Sequence, residues 1–351
     1  MASGLKFLVN SAKKLALGPG SEAKAAQPTD LFAKVDPSVD GEDCDHDCDS
    51  CVTHYPKGFS IDEEEDLYGF IKGWSTHVLV ATGKSDWVRD VADEKGSVMQ
   101  AIDKSKVAPS NGRLMLSASN IPTPHHTNDY SEPTTVLLLP AFAIVENVTP
   151  ATVPTLITEI IDKAPTNTSP LEPLSLPRSI PAPLPEGSPA ALHELTIRPC
   201  PHSALILLCS QKTRDARCGQ SAPLLKKELE RHLRPLGLFR DLDDERPGGV
   251  GIYFISHVGG HKYSANVMVY RRPNAFGLDE VERAKVGEVR PQKKEAGEEE
   301  NLGAAQCIWL ARIKPEHCEN LVKFTVLQGK VVKPEKQLRG GFDRSKGLMS
   351  W

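Results

Sequence analysis

The sequence predicts an α/β (α+β) chain built as two related domains. Three observations carry that prediction. A strand–helix–strand–strand–helix order reads twice, over residues 77–163 and again over 203–328. Between the copies, Pro165 to Pro189 holds eight prolines in 25 residues, a composition that favours an extended linker over a core. The chain has 351 residues and is 39% hydrophobic, long enough for two domains and low in apolar residues for one large core. The expected boundaries are a flexible segment 1–43, a first domain 44–164, a linker 165–195 and a second domain 196–351 with a charged insertion near 283–303.

The elements follow in order. Residues 1–18 carry Lys6, Lys13 and Lys14 and no acid, with Leu5, Leu8, Val9, Ala12 and Ala16 on one helical face. That pattern is mildly like a mitochondrial presequence but lacks arginine. His77–Thr82 reads as a strand and Asp86–Ala101 as a helix with Trp87, Val91, Val98 and Ala101 inward. Arg113–Ser117 and Thr134–Leu139 read as strands, and Val153–Lys163 as a helix with Leu156, Ile157, Ile160 and Ile161 inward. The second half opens on the apolar strand 203–208. Ser221–Leu233 is a helix, with Ser221 as N-cap, Pro223 in its first turn and Leu225, Leu229 and Leu233 on one face. Gly251–Ile255 and Ala265–Tyr270 are neighbouring strands, Cys307–Ile313 the last strand and Pro315–Gln328 the last helix. Each half has the order of a thioredoxin-type unit.

Composition excludes several classes. A net charge of -4 makes no general case for nucleic-acid binding. No apolar run reaches the roughly eighteen residues of a membrane span. Eight cysteines without a secretory signal do not read as a disulfide framework. They fall as Cys44, Cys48 and Cys51, then Cys209 and Cys218, with Cys200, Cys307 and Cys318 scattered. A reducing compartment and metal chemistry fit that distribution better. The first group, C-x3-C-x2-C with His46 and His54 nearby, has the spacing of a radical S-adenosylmethionine motif. The repeated strand–helix units of such enzymes are missing downstream. A zinc site on these cysteines and a metal-free thiol cluster both stay open.

The second group is more informative. Cys209 and Cys218 have eight residues between them, and His257 and His261 have three, including Gly259 and Gly260. Each pair starts where an apolar strand gives way to a loop, and the two glycines favour a tight loop for the histidines. Two thiols and two imidazoles are the donor count of a tetrahedral metal or an iron–sulfur cluster. The cysteine spacing is too long for a zinc knuckle, and a thioredoxin-type redox site wants C-x-x-C at this place. There is no G-x-G-x-x-G after a strand and no P-loop, so the chain reads as an electron carrier more than as an enzyme with its own substrate. A structural zinc or scaffold protein without redox function is the alternative.

These residues carry a resemblance. Thioredoxin-like 2Fe–2S ferredoxins have two cysteines separated by a loop of this length and a C-x3-C pair on a later loop. Here HVGGHKYSANV puts His257 and His261 at the later pair. In that form the chain resembles the sucrase/ferredoxin-like family, within it a fungal group of cytosolic bis-histidinyl members. The resemblance covers residues 200–351 and extends more weakly over 44–160, through CDSCVTHYPKGF and YGFIKGWSTHVLVATGKSDWVRDV. It implies that Cys209, Cys218, His257 and His261 ligate a 2Fe–2S cluster in a thioredoxin-like fold. It leaves the electron donor and acceptor and the amino-terminal cysteines open.

The ligand types argue for proton-coupled one-electron chemistry. Two ferric ions and two sulfides carry two positive charges, which two thiolates cancel; four thiolates would leave two negative charges. Adding an electron to the neutral group is easier. Rieske centres, with the same donors, lie at roughly -150 to +300 mV against about -400 mV for plant-type ferredoxins. An imidazole ligand also keeps an N–H that cysteine lacks.

Around this set, Lys212, Arg214 and Arg217 would dock an acidic reductase or tune the potential, and Lys262 and Tyr263 would hydrogen-bond near His261. Cys307 and Cys318 read as buried small residues, His202, His232 and His317 as structural, and His125 and His126 as solvated. The carboxy-terminal Met349-Ser350-Trp351 resembles the signal by which cytosolic iron–sulfur clients engage their assembly targeting complex; a packing anchor is the alternative. The expected partners are that complex and a flavin-type reductase, with no nucleic acid and no membrane. The expected location is the cytoplasm, with mitochondria second and redox or oxidant tolerance as the physiological setting.

Overall fold

The computed structural model describes residues 24–182, 194–279, 291 and 301–351. Among them the strands are β1 (Lys24–Ala25), β2 (Thr76–Ala81), β3 (Leu114–Ser119), β4 (Thr134–Leu139), β5 (Ala143–Val148), β6 (Ser179–Pro181) and β7 (Glu194–Pro199). The second half adds β8 (Ala204–Cys209), β9 (Phe239–Arg240), β10 (Val250–Ile255), β11 (Val267–Arg271), β12 (Gln306–Leu310), β13 (Leu338–Asp343) and β14 (Leu348–Met349). All belong to one mixed sheet in the order β1-β14-β13-β12-β11-β8-β10-β3-β2-β4-β5-β7-β6, with β9 beside β10. The chain is a mixed α/β protein. None of its described helices is long and apolar enough to cross a membrane.

Four strands of each half repeat one arrangement. β2 lies between β3 and β4, parallel to the first and antiparallel to the second, and β5 follows antiparallel. β8 lies in the same way between β10 and β11, with β12 beyond. The spatial order is second, first, third, fourth in both. The halves meet where Ser119 of β3 pairs antiparallel with Ile255 of β10.

Alternation along the strands decides where the cores sit. In β8, Ala204, Ile206 and Leu208 face one cluster with Leu225, Leu229 and Leu233 of the helix Ala216–Leu233. Leu205 and Leu207 face the other way, into a cluster that also holds Leu79, Leu137 and Phe142 from the first half. Burying each such leucine contributes about 1.5–3 kcal/mol, so both faces of β8 are committed and the halves share a core. A third cluster, with Val78, Val80, Leu156 and Ile160, belongs to the first half.

Several elements differ from their sequence expectation, each for a visible reason. The expected helix 86–101 is a 3-10 turn at Val91–Asp93 and a short helix Val98–Asp103 capped by Ser97. Backbone carbonyls of Trp87, Val88 and Arg89 are engaged elsewhere by side chains of the second half. The helix expected from Ser221 begins at Ala216, because Asp215 caps it by accepting the Arg217 N–H, and Pro223 falls inside it. Strands β1, β5, β6, β7, β9, β13 and β14 add to the expected set. The last helices of both halves form as expected but end in wide turns, Leu156–Ile161 and Leu321–Val326.

The domain edges also differ. Residues 24–43, expected to be flexible, include β1 and bury Leu31 and Phe32 in the second-half core. The segment from Cys44 to Leu67, grouped by sequence with the first half, packs on the second: Thr53 Oγ1 donates to Glu228 at 2.5 Å, and Tyr55 Oη to the Ile313 carbonyl at 2.7 Å. Residues 165–182 of the expected linker are tethered, with Arg344 donating to the Ser169 and Pro170 carbonyls, and β7 extends the first-half edge against β5. The rest of the linker, residues 1–18 and most of the charged insertion lie outside the described residues.

Candidate metal centre

Parallel pairing assembles the site. β8 and β10 are adjacent and in register, with Cys209 opposite Ile255. The chain therefore leaves both strands at the same end of the sheet, where loops of α/β sheets place ligand groups. Cys209 is the last residue of β8, and His257 follows β10 by two residues.

Cys218 arrives from the opposite side. Asp215 starts the helix Ala216–Leu233, which puts Cys218 in its first turn. There the helix dipole favours a thiolate. Gly219 allows the approach: a Cβ there would meet Lys212 Cβ at 2.5 Å, so any larger residue would push the cysteine loop off the helix.

The histidine loop turns at Gly259 and Gly260, both with positive φ. A Cβ on Gly260 would strike the Arg339 guanidinium at 2.7 Å. Arg339 is buried beneath the turn and lies 4.4 Å over the Trp309 ring. It donates to the Gly259 carbonyl at 3.1 Å and to Asn266 Oδ1 at 2.7 Å. Asn266 Nδ2 in turn donates to the Gly260 carbonyl at 3.1 Å. Burial pushes the Arg339 pKa down to about 10.

The donors converge as follows. The ligand atoms of Cys209, Cys218 and His257 all lie within 4.8 Å of one another. Cys209 Sγ is 3.7 Å from His257 Nδ1. His261 stands at the rim, its Nδ1 3.4 Å from His257 Nε2 and its Nε2 4.0 Å from Asp215 Oδ2, with its side chain 47% exposed. Both cysteines are buried. Hydrogen bonding to Cys209 and then to His257 pulls the Cys218 pKa down to about 5, while contact with Cys218 and burial push Cys209 well up. The backbone N–H groups of Val258 and Gln211 work against that rise at Cys209.

The amino-terminal cysteines do not gather in this way. Cys44 packs with Val35, Phe324 and Val332, and the Cys51 thiol donates to the Thr53 carbonyl at 3.3 Å. Cys48 meets His232 and Glu319 instead, but the Arg231 guanidinium already contacts its sulfur at 3.5 Å and His232 Nε2 at 3.2 Å. A cation is in place there, so this group is assigned no metal.

The other expected residues make contacts of their own. Lys262 and Tyr263 both reach Glu65 and tie down the 44–67 segment. Arg217 holds Asp215 through two bonds of 2.9 Å, and Arg214 reaches the Arg89 carbonyl at 3.3 Å. Lys212 stays exposed. Cys307 and Cys318 are buried, His202 bonds Tyr253, and His317 accepts the Lys314 N–H. Trp351 stacks on Trp74 with centroids 4.3 Å apart. Asp215, Gln211, Asn266 and Arg339 are absent from the sequence reading. An Asp just before a helical stretch is a capping signal that could have found Asp215; the other three have no local signal.

Residues 67–340 match the sucrase/ferredoxin-like family. The chain is 30% identical over 264 residues to actin patches distal protein 1 of Saccharomyces cerevisiae, covering 70% of this chain and 77% of that one. It is 30% identical over 132 residues to altered inheritance of mitochondria protein 32 of Clavispora lusitaniae, 38% of this chain and 33% of the relative. The protein of that name from Debaryomyces hansenii is 30% identical over 129 residues, 37% of this chain and 33% of the relative. No solved structure matches the chain.

Proposed function

We propose, from the premise that the chain belongs to the sucrase/ferredoxin-like family, that it is an electron-transfer protein carrying a 2Fe–2S cluster on Cys209, Cys218, His257 and His261. The observation that carries this reading is the convergence of Cys209, Cys218 and His257 within 4.8 Å, with His261 beside them. The donor set fits the group: two buried sulfurs, one already drawn toward thiolate, and two imidazoles toward solvent. Each half is read as a thioredoxin-like unit, because its strand order is second, first, third, fourth with the third antiparallel to the first.

When bound, such a cluster supplies a centre that gains and loses one electron. The chain's own groups set the terms. Cys209 and Cys218 supply the negative charge and the Val258 and Gln211 N–H groups moderate it at one sulfur. His261 Nε2 faces Asp215 Oδ2 at 4.0 Å, so a proton held at that atom has a carboxylate partner, itself fixed by Arg217. That arrangement supports coupling of electron and proton at the exposed rim. The buried cysteine side is closed by the helix and by the first half.

The physiological reading follows from the same premise. The chain would pass electrons from a flavin-type reductase to an acceptor in the cytoplasm, in redox or oxidant tolerance. Mitochondria are the second location, in keeping with the name shared by the Clavispora lusitaniae and Debaryomyces hansenii relatives. Met349-Ser350-Trp351 would be read by the cytosolic iron–sulfur assembly targeting complex, for which Trp351 must leave Trp74. The test is iron and acid-labile sulfide analysis of anaerobically purified protein. Two of each per chain with red-brown visible absorption is the expected result. Zinc in a colourless protein would sink the reading.

A further inference from the structure

The expected helix 86–101 is missing where the first half touches the ligand loops, and the contacts there converge on one side chain. Gln211 stands two residues after Cys209 and is 1% exposed. Its Oε1 accepts the backbone N–H of His257 at 2.8 Å. Its Nε2 donates to the Val88 carbonyl at 2.5 Å and the Trp87 carbonyl at 3.4 Å. One buried amide thus joins the cysteine loop, the histidine loop and the first half.

Neighbouring bonds repeat the connection. Ser210 Oγ donates to the Ser85 carbonyl at 2.7 Å. Thr213 donates from its backbone N–H to Asp86 Oδ1 at 3.0 Å and from its hydroxyl to Asp86 Oδ2 at 2.8 Å. The Ser85, Trp87, Val88 and Arg89 carbonyls and the Asp86 carboxylate are therefore engaged by residues 210–214.

We propose that the segment Ser85–Arg89 is a clamp on the ligand loops and that Gln211 is the positioning residue that holds His257 against Cys209. The proposal rests on the cluster assignment above only for its purpose; the clamp itself is built from protein groups alone. The physical need is plain. Cys209 ends strand β8 while His257 lies on a separate loop that turns through two glycines, and no covalent link fixes their separation. A buried amide with both ends engaged costs free energy to release, because either end left unpaired has no water to turn to. The clamp also gives the first half a role without ligands of its own: it makes the site rigid rather than reactive.

The experiment uses the full chain in two forms. Gln211→Leu keeps the volume and removes all three bonds. Gln211→Glu keeps the acceptor for the His257 N–H and removes the donor. Asp86→Ala loosens residues 210–214 from a less buried position, and it serves if Gln211→Leu does not fold. Hydrogen exchange is measured on iron-free protein, with β2 amides as the reference for global opening. In Gln211→Leu the His257 amide should exchange roughly tenfold faster relative to β2, as expected for one lost buried bond. Gln211→Glu should restore little of that protection, because its carboxylate faces the Trp87 and Val88 carbonyls to which the amide donated, and Asp86→Ala should speed exchange at residues 210–214 instead. In iron-loaded protein, loss of iron to a chelator should quicken about tenfold in Gln211→Leu. Unchanged His257 exchange in Gln211→Leu, or unchanged exchange at residues 210–214 in Asp86→Ala, overturns the clamp. A wild-type chain that holds no iron overturns the cluster assignment, while the exchange results still decide the clamp.

Discussion

The two halves place the same strands in the same order and put different chemistry at the same ends. β8 finishes on Cys209, and its counterpart β2 finishes on Ala81. β10 runs into Ser256 and His257, and its counterpart β3 runs into Asn120 and Ile121. Those first-half residues are structural glue. Asn120 Oδ1 accepts the Phe254 N–H at 2.7 Å, and Ser119 Oγ donates to the Phe254 carbonyl at 2.9 Å. A strand end of this architecture can therefore hold either a ligand or a joint. The topology provides the place, and side-chain type decides its use.

The strongest way to break the comparison is to separate the halves. A chain starting at residue 195 would expose Leu205, Leu207 and Tyr253, which now share a cluster with Leu79 and Leu137, and would lose Leu31 and Phe32 from its own core. It should show no cooperative thermal transition by circular dichroism. A sharp transition with iron retained would mean that the halves are independent.

The next test asks whether the proposed cluster sits in the second half. Cys209→Ala and Cys218→Ala should each reduce iron and visible absorption to background, because the first half offers Ala81 at the matching place. His257→Cys or His261→Cys should keep a cluster at lower potential. In the wild type the midpoint potential should fall with rising pH, at a slope approaching about 59 mV per unit for one proton per electron. Full iron in either alanine variant would move the site elsewhere.

Acid sharpens the comparison by loosening the joint between the halves. His77 of β2 is fully buried, with Nε2 2.9 Å from Ser117 Oγ and Nδ1 3.1 Å from Tyr270 Oη across the boundary. Burial pushes its pKa down to about 3, and burial together with Arg240 brings His202 down to about 4, both from an ordinary 6.5. A depressed histidine is neutral in the folded chain and charged in the unfolded one below 6.5. Its contribution is therefore complete above that value and is lost as pH falls toward 4 and then 3. The loss should be on the order of a few kcal/mol per group. Urea midpoints at pH 7 and pH 4 measure it, and His77→Gln should lessen the difference.

The smallest effect belongs to the tail. Deleting Trp351 removes a ring stacked on Trp74, worth about 1 kcal/mol beyond its area and a fall of roughly 2–4 °C in Tm. If the tail is also an assembly signal, iron occupancy in cells should drop further than stability explains, both on deletion and when residues are appended after Trp351. Equal occupancy in all three chains leaves Trp351 as an anchor alone.

Local physics explains what could be read from the sequence. Apolar runs such as 204–208 and 136–139 reported strands because burial on both faces demands uninterrupted apolar side chains. The leucines at 225, 229 and 233 reported a helix by their spacing. The paired cysteines and histidines at strand ends pointed to the candidate site, since a donor set depends on residue type and on loop length, and three of the four do come together. Tertiary structure decided the rest. Nothing in residues 24–67 says which half they cover, because few of them are apolar and the partners, Glu228 and Ile313 among them, lie far along the chain. Segment 86–101 has a helical pattern, yet its Trp87, Val88 and Arg89 carbonyls are engaged by residues 211–214. Gln211 and Arg339 look like ordinary polar residues in sequence. Only burial beneath the ligand loops, where a polar group must find a partner, makes them part of the site.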